Sequence, residues 1–125
     1  MQDTTTLVER YIDAWNETDP EARRTAVAAL WAEDGTYVDP LASVAGHEEL
    51  AQLIGAAQAQ VPGHVFRLLG DVDAHHEVAR FRWELVPDGG GESVVVGFDV
   101  AVTGEDGRLA SVVGFLDKVP VGLGG

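Results

Sequence analysis

Two aspartates and one tyrosine are the residues of this sequence whose types and surroundings suit acid/base chemistry. Asp39 follows the strand-like stretch 36–38 and directly precedes Pro40. Asp99 lies within a valine-rich stretch, and Tyr11 lies on the apolar stripe of a predicted helix. An apolar cavity favours the neutral form of a carboxylic acid, so its pKa rises. One ionised and one protonated carboxyl group would supply a base and a hydrogen-bond donor, and the tyrosine a second donor.

Asp39 and Tyr11 also have structural interpretations that involve no chemistry. An aspartate before a proline at the end of a strand is typical of a turn, because its carboxylate accepts hydrogen bonds from the following backbone. A helix tyrosine commonly packs in the core while its hydroxyl reaches water. The residues alone leave both interpretations open.

Three helices must position Tyr11 and cover the aspartates. Apolar residues at helical spacing define the first and the third, and an aspartate followed by a proline marks the start of the second. The first is predicted to end before Asn16, the second to run from Pro20 to about Trp31, and the third from Gly46 to Pro62.

The second half of the sequence predicts strands at residues 64–69, 75–86, 93–103 and 109–118. Helices followed by an antiparallel meander predict a single α+β domain over residues 1–118, with the helices on one face of a curved sheet. The glycine-rich residues 119–125 predict a flexible tail.

Alternation along the strand at 93–103 bears on where Asp99 points. A valine-rich face holds Val94, Val96, Phe98, Val100 and Val102, and the opposite face holds Gly97, Asp99 and Ala101. If the helices cover the small residues, Asp99 faces the space beneath them, and the valine-rich face is left for another subunit. The reverse assignment, with Asp99 in solvent, fits the alternation equally well.

Composition and charge exclude several classes of function. The 125 residues include no cysteine, which excludes disulfides, thiolate metal ligands and a cysteine nucleophile. The net charge of −13, from 21 acidic and 8 basic residues, repels phosphate backbones and disfavours anionic ligands. We therefore expect a small hydrophobic or neutral ligand and no nucleic-acid partner.

The sequence predicts no membrane association and no cofactor. It has no apolar run long enough to span a bilayer and no basic region followed by an apolar one, as a signal peptide would have, so we expect a cytoplasmic location. The four histidines lack the spacing of a metal site, and no glycine loop has phosphate-binding spacing. His64 could line a cavity mouth and shuttle protons.

The order of the motifs resembles the nuclear transport factor 2-like superfamily, in its SnoaL-like and ketosteroid isomerase branch. The resemblance covers residues 7–118 and rests on VERY (8–11), WAEDGTYVDP (31–40), GFD (97–99) and DGRL (106–109), together with the helix-opening Gly46. It implies a cone-shaped, curved mixed sheet that three helices close around a deep apolar pocket. It also implies a homodimer formed through the sheet.

The same resemblance implies roles for the three candidate residues. In ketosteroid isomerases the base is the aspartate of an Asp-Pro motif, here Asp39, and the enolate is stabilised by a helix tyrosine and a protonated late-strand aspartate, here Tyr11 and Asp99. SnoaL-like polyketide cyclases use a late-strand aspartate as acid and base, which needs only Asp99. The triad of the related limonene epoxide hydrolases is broken, because Gly97 stands where they need an arginine. The expected pocket wall comprises Trp15, Trp31, Ile54, His64, Trp83 and Phe115.

These roles predict cofactor-free acid/base chemistry on a small neutral carbonyl compound, either an isomerisation or a cyclisation. Two other functions remain compatible with the sequence. One is a binding module in which an acid only orients a ligand, as in many members of the superfamily. The other is an interaction domain whose valine-rich face docks another protein, which predicts a monomer when the protein is purified alone.

Overall fold

The computed structural model describes residues 4–119, so all of the predicted tail except Val119 lies outside the described residues. The elements are α1 (Thr4–Asn16), α2 (Pro20–Leu30), β1 (Trp31–Val38), β2 (Ser43–Ala45), α3 (His47–Gln60), β3 (His64–His75), β4 (Val78–Pro87), β5 (Val95–Thr103) and β6 (Leu109–Lys118). The strands form one curved sheet in the order β2–β1–β6–β5–β4–β3. β1 and β6 run parallel, and the other neighbours run antiparallel. The predicted α+β fold class, with a mixed sheet, is confirmed.

The predicted starts of α2 and α3 are confirmed. Asp19 caps α2, since its Oδ2 accepts a hydrogen bond of 2.8 Å from the backbone N–H of Ala22, and Pro20 takes the first helical position, where no N–H is needed. α3 begins after Gly46, whose φ of 88° favours glycine. No helix within residues 4–119 is long and apolar enough to cross a membrane.

The first strands differ from the prediction. α2 ends at Leu30 and passes directly into β1 at Trp31, whereas the sequence predicted a strand only from residue 36. The pairing of β1 with β6 shifts register between Trp31 and Thr36, and this irregularity obscures the strand pattern in the sequence. The small residues of Ser43–Ala45, for which no strand was predicted, pair with the end of β1 as β2.

β3 is also longer than predicted. It continues to His75 past a register shift between Leu69 and Asp73, within which Gly70 adopts a φ of 79°. The turn to β4 therefore falls at His76 and Glu77, and the predicted start of the next strand at residue 75 is wrong. The predicted strand ended at Leu69, directly before a glycine that accommodates a bulge inside β3.

The core lies between the helices and one face of the sheet. Asp99 and Ala101 are buried on that face, with exposed fractions of 1% and 4%, whereas Val100 and Val102 on the opposite face are only partly buried. Of the two assignments that the alternation allowed, the one that points Asp99 toward the helices is therefore correct.

Candidate functional site

The helices and the inner face of the sheet enclose a cavity of about 350 Å³. This volume lies within the range of roughly 300–1,000 Å³ typical of small-molecule sites. Its wall is mainly apolar and aromatic, and none of the described residues that line it carries a positive charge. The lining comprises Tyr11, Ile12, Trp15, Tyr37, Asp39, Pro40, Leu41, Ala57, Gln60, Val61, Phe66, Trp83, Leu85, Val95, Asp99, Leu116 and Val119.

Asp99 is the buried acid of this cavity. The hydroxyl of Tyr11 donates a hydrogen bond of 2.7 Å to its Oδ2, and the indole N–H of Trp83 donates one of 3.1 Å to its Oδ1. Burial raises the pKa of Asp99 to about 6. The two hydrogen bonds oppose this rise in the pKa, and the nearby charge of Asp39 adds to it. A carboxyl group that titrates near neutral pH can both take and give a proton, as acid/base catalysis requires.

Tyr11 is a neutral donor fixed in the core. Its ring packs against the rings of Trp31 and Phe81, with centroids 5.5 and 5.4 Å away. Burial and the charge of Asp99 raise the pKa of its hydroxyl well above 10, so the hydroxyl keeps its proton. α1 therefore presents a hydrogen-bond donor to Asp99 at any physiological pH.

Asp39 is both a turn residue and a residue of the cavity. Its Oδ1 accepts hydrogen bonds of 2.8 Å from the backbone N–H groups of Leu41 and Ala42, which is the turn geometry expected of an aspartate at a strand end. Its Oδ2 accepts a hydrogen bond of 2.6 Å from the hydroxyl of Tyr37. The structural interpretation is thus correct, and it does not exclude a second role, because Asp39 also lines the cavity.

Three adjacent strands bring the two carboxylates to either side of Gly114. Asp99 on β5 is the register partner of Gly114 on β6, and Val38 on β1, next to Asp39, pairs with Val113. A Cβ atom at Gly114 would lie 2.7 Å from Oδ1 of Asp99 and 3.5 Å from Cβ of Asp39. The missing side chain at Gly114 is therefore what leaves room for both acids in one part of the cavity.

Five of the residues expected at the site do line this cavity. The structure brings the three candidate residues, Tyr11, Asp39 and Asp99, together there. Trp15 and Trp83 contribute to its wall as expected.

The other four expected wall residues do not line the cavity. Trp31 and Ile54 have no exposed surface and belong to the core, because both point into the packing between helices and sheet. His64 begins the edge strand β3 and contacts the carbonyl oxygen of Pro62 at 3.0 Å, so its predicted role at the cavity mouth is not supported. Phe115 is 54% exposed on the outer face, because successive side chains of β6 point to opposite faces and its neighbours Gly114 and Leu116 lie on the inner one.

Two residues that shape the surroundings of the acids, Tyr37 and Gly114, were not among the expected site residues. Tyr37 lies two residues before Asp39, and the period of two along a strand could have placed both on one side. Gly114 carried no such signal, because its importance depends on the neighbouring strands and not on its own segment.

Comparison with known proteins identifies the family. The model of the SnoaL-like domain family matches residues 8–112. The chain belongs to the SnoaL-like family. A candidate isomerase of this family from Agrobacterium tumefaciens strain C58 is similar in structure, with 43% identity, 90% of this chain and 95% of the other covered, and a TM-score of 0.85.

More distant SnoaL-like and related structures share the cone-shaped fold. A nuclear transport factor 2-like protein of unknown function from Mesorhizobium loti is 21% identical, with 94% and 96% of the two chains covered and a TM-score of 0.67. A candidate polyketide cyclase from Sinorhizobium meliloti is 20% identical, with 87% and 93% covered and a TM-score of 0.68. No curated protein sequence matches the chain.

Proposed function

We propose that this SnoaL-like protein is a cofactor-free acid/base enzyme that moves a proton at the carbon beside a carbonyl group of a small neutral compound. Isomerisation and cyclisation both pass through the resulting enolate, so the proposal covers both. The observation that carries it is a pair of carboxylates, Asp39 and Asp99, in one apolar cavity, each hydrogen-bonded by a tyrosine hydroxyl. The 43% identity to a candidate isomerase of the same family adds support.

The cavity favours a neutral substrate for an electrostatic reason. It holds two carboxylates, and no cationic side chain is among its described lining residues. An anionic ligand would be repelled by both acids at low effective dielectric. A neutral molecule with one carbonyl group and an apolar body matches the few polar groups and the aromatic wall.

Two arrangements of proton transfer fit the geometry. In the first, Asp39 takes the proton, Tyr11 donates to the enolate oxygen, and a protonated Asp99 supports it by donating to the hydroxyl oxygen of Tyr11. In the second, Asp99 itself takes and returns the proton. The hydrogen bond from Tyr11 to Asp99 suits the second at pH values above about 6, where Asp99 is an ionised acceptor.

The pH dependence of the rate distinguishes these arrangements. If Asp99 is the donor, its protonated form is the active one, and kcat/KM falls as the pH rises through about 6. If Asp99 is the base, its ionised form is active, and kcat/KM rises over the same range.

The reaction is best tested through the proton transfer that isomerases and cyclases share. Purified protein is mixed in D₂O with β,γ-unsaturated cyclic ketones, among them a ketosteroid, and NMR follows exchange of the protons beside the carbonyl group. We expect exchange that Asp99→Asn reduces by roughly 10²- to 10⁴-fold. Asp39→Asn causes a similar loss only if Asp39 is the base.

Asp88→Asn is the matched control and should exchange ketone protons at the wild-type rate, because Asp88 is exposed and does not line the cavity. Wild-type exchange no faster than the buffer rate, for ketones that demonstrably bind, would contradict the proposal.

A binding module without chemistry is the second candidate. It is favoured by the internal pairing of the site, since the hydroxyls of Tyr11 and Tyr37 and the indole N–H of Trp83 all bond to the two aspartates. A pure binder would take up the same ketones without exchanging their protons, so one experiment decides between the two.

A further inference from the structure

We propose that Trp83 is a positioning residue for Asp99: its indole N–H keeps Oδ1 free of the proton and directs the exchangeable proton to Oδ2, beside Tyr11. The catalytic consequence rests on the proposed function. The protonation of Asp99 itself is measurable without any substrate.

The contact between Trp83 and Asp99 depends on a gap in the neighbouring strand. Trp83 on β4 is the register partner of Gly97 on β5, while Asp99 lies two residues further along the same inner face. A Cβ atom at Gly97 would lie 2.1 Å from two carbon atoms of the indole. The glycine therefore lets the indole lie across β5 and reach diagonally to Oδ1 of Asp99.

The other side of the indole is also fixed. Phe66 on β3 packs against Trp83 edge to face, with ring centroids 5.4 Å apart and planes at 65°. Trp83 is thus held between Gly97 and Phe66, with its N–H 3.1 Å from Oδ1 of Asp99. This arrangement fixes the direction of the donor as well as its presence.

Neutral donors carry the stabilisation of ionised Asp99. Tyr11 faces it from α1 and Trp83 from β4, while Asp39 and Tyr37 at the end of β1 add a charge and a hydroxyl. β6 places Gly114 beside it, and the parts of β6 and α3 that line the cavity contribute no ionisable group among the described residues. No cation lines the described wall, so loss of one donor has no nearby substitute.

The chemistry of the two donors decides which oxygen takes the proton. An indole N–H only donates, whereas a tyrosine hydroxyl both donates and accepts. A proton on Oδ1 would face the Trp83 N–H, with two donors opposed and no acceptor. A proton on Oδ2 can be accepted by the Tyr11 hydroxyl, while Oδ1 keeps its hydrogen bond. Neutral Asp99 therefore presents its O–H at Tyr11.

The first test is a titration of the wild-type protein by NMR. The three tryptophan indole N–H resonances and the aspartate side-chain carboxyl resonances are followed between pH 4.5 and 8. We expect the resonance that is lost in Trp83→Phe to move with the same midpoint as the Asp99 carboxyl group, and to stop moving in Asp99→Asn. A Trp83 indole resonance that does not follow Asp99 would overturn the proposal.

The second test compares Trp83 with a buried tryptophan that makes no hydrogen bond to Asp99 or Tyr11. Trp83→Phe removes a donor to ionised Asp99, so the midpoint of Asp99 should rise by roughly one pH unit or more. Trp31→Phe is the matched control, because within the described chain Trp31 Nε1 has no hydrogen-bond partner and Trp31 does not line the cavity. Gly97→Ala should raise the midpoint as well, although Trp83 is still present, because the new Cβ displaces the indole.

An equal rise in Trp31→Phe, or no rise in Trp83→Phe, contradicts the proposal. If Trp83→Phe does not fold, the Trp83 indole resonance is assigned in the wild type by triple-resonance NMR, and the wild-type titration decides. A shifted midpoint in a protein that exchanges no ketone protons would refute the proposed function and leave the role of Trp83 intact.

Discussion

Asp99 titrates near pH 6 because burial and hydrogen bonding act on it in opposite directions. Burial favours the neutral acid, while Tyr11 and Trp83 favour the anion and hold the pKa within reach of neutral pH. The anion still carries a net cost, since each pKa unit corresponds to about 1.4 kcal/mol. Asp99 is therefore a residue whose ionised form lowers the stability of the fold.

This cost predicts how Asp99→Asn changes stability with pH. From its ordinary value of 3.8 up to about 6, folded Asp99 binds more proton than the unfolded chain does, so its contribution to stability falls as the pH rises. Above about 6 the difference is constant. We expect Asp99→Asn to increase the free energy of unfolding by about 1–3 kcal/mol at pH 8 and to change it much less at pH 4.5.

Urea denaturation of both proteins at the two pH values measures this difference. Comparing variant with wild type removes the general effect of the 21 acidic residues. Asp88→Asn is again the control, because it changes an exposed acid and should shift stability equally at both pH values. A variant at position 99 that is destabilised by the same amount at pH 4.5 and pH 8 would refute the account.

Gly114 on β6 lies between Asp39, at the end of β1, and Asp99 on β5, so its lack of a side chain sets the spacing of the two acids. We expect Gly114→Ala to displace Asp99, because the new Cβ would lie 2.7 Å from its Oδ1. Ketone proton exchange should fall at least about tenfold, since small displacements of positioned groups have large effects on rate. The measurement is the D₂O exchange assay, with circular dichroism to verify folding.

Gly104→Ala serves as the control for that change. Gly104 lies in the β5–β6 connection, and a Cβ atom there would meet its nearest neighbours at 3.8 Å, an ordinary contact. A loss of exchange in both alanine variants would point to damage of the β5–β6 pair and not to the acids.

The helices and strands that depend on neighbouring residues were predicted from the sequence, whereas those that depend on distant pairing were not. The cap at Asp19, the helix after Gly46 and the bounds of β6 all depend on neighbouring residues, and they were predicted. β2 and the second half of β3 were missed, because strand pairing stabilises them against a weak local pattern. The same holds within the site. Tyr11 and Asp99 were identified as candidates from their residue types and surroundings, but the hydrogen bond between them spans 88 positions and has no local signature in the sequence.

At the scale of the whole molecule, part of the outer face of the sheet, on β5 and β6, is apolar and partly open, with Arg82 and Asp117 beside it. Val113 and Phe115 on β6 are 39% and 54% exposed, and their register partners Val100 and Phe98 on β5 extend the same surface. Large contiguous apolar patches on soluble proteins mark interaction sites. We propose that this face forms a homodimer.

The oligomeric state tests this. We expect the wild type to be a dimer by size-exclusion chromatography with light scattering, and Phe115→Asp to be a monomer, because a charge would be buried in the interface. Leu41→Asp is the control, since Leu41 is 61% exposed but belongs to the cavity lining and not to the outer face. A wild-type monomer would instead favour a different protein as the partner of this face.

β3 lies at the edge of the sheet, and the last residue of α1 forms hydrogen bonds with its backbone. The side chain of Asn16 accepts a hydrogen bond of 2.7 Å from the backbone N–H of Phe66 and donates one of 2.8 Å to its carbonyl oxygen. An unpaired strand edge is a template on which a second chain can extend the sheet and begin aggregation. The end of the first helix thus occupies the backbone groups of Phe66 that an added strand would need at this position of the edge.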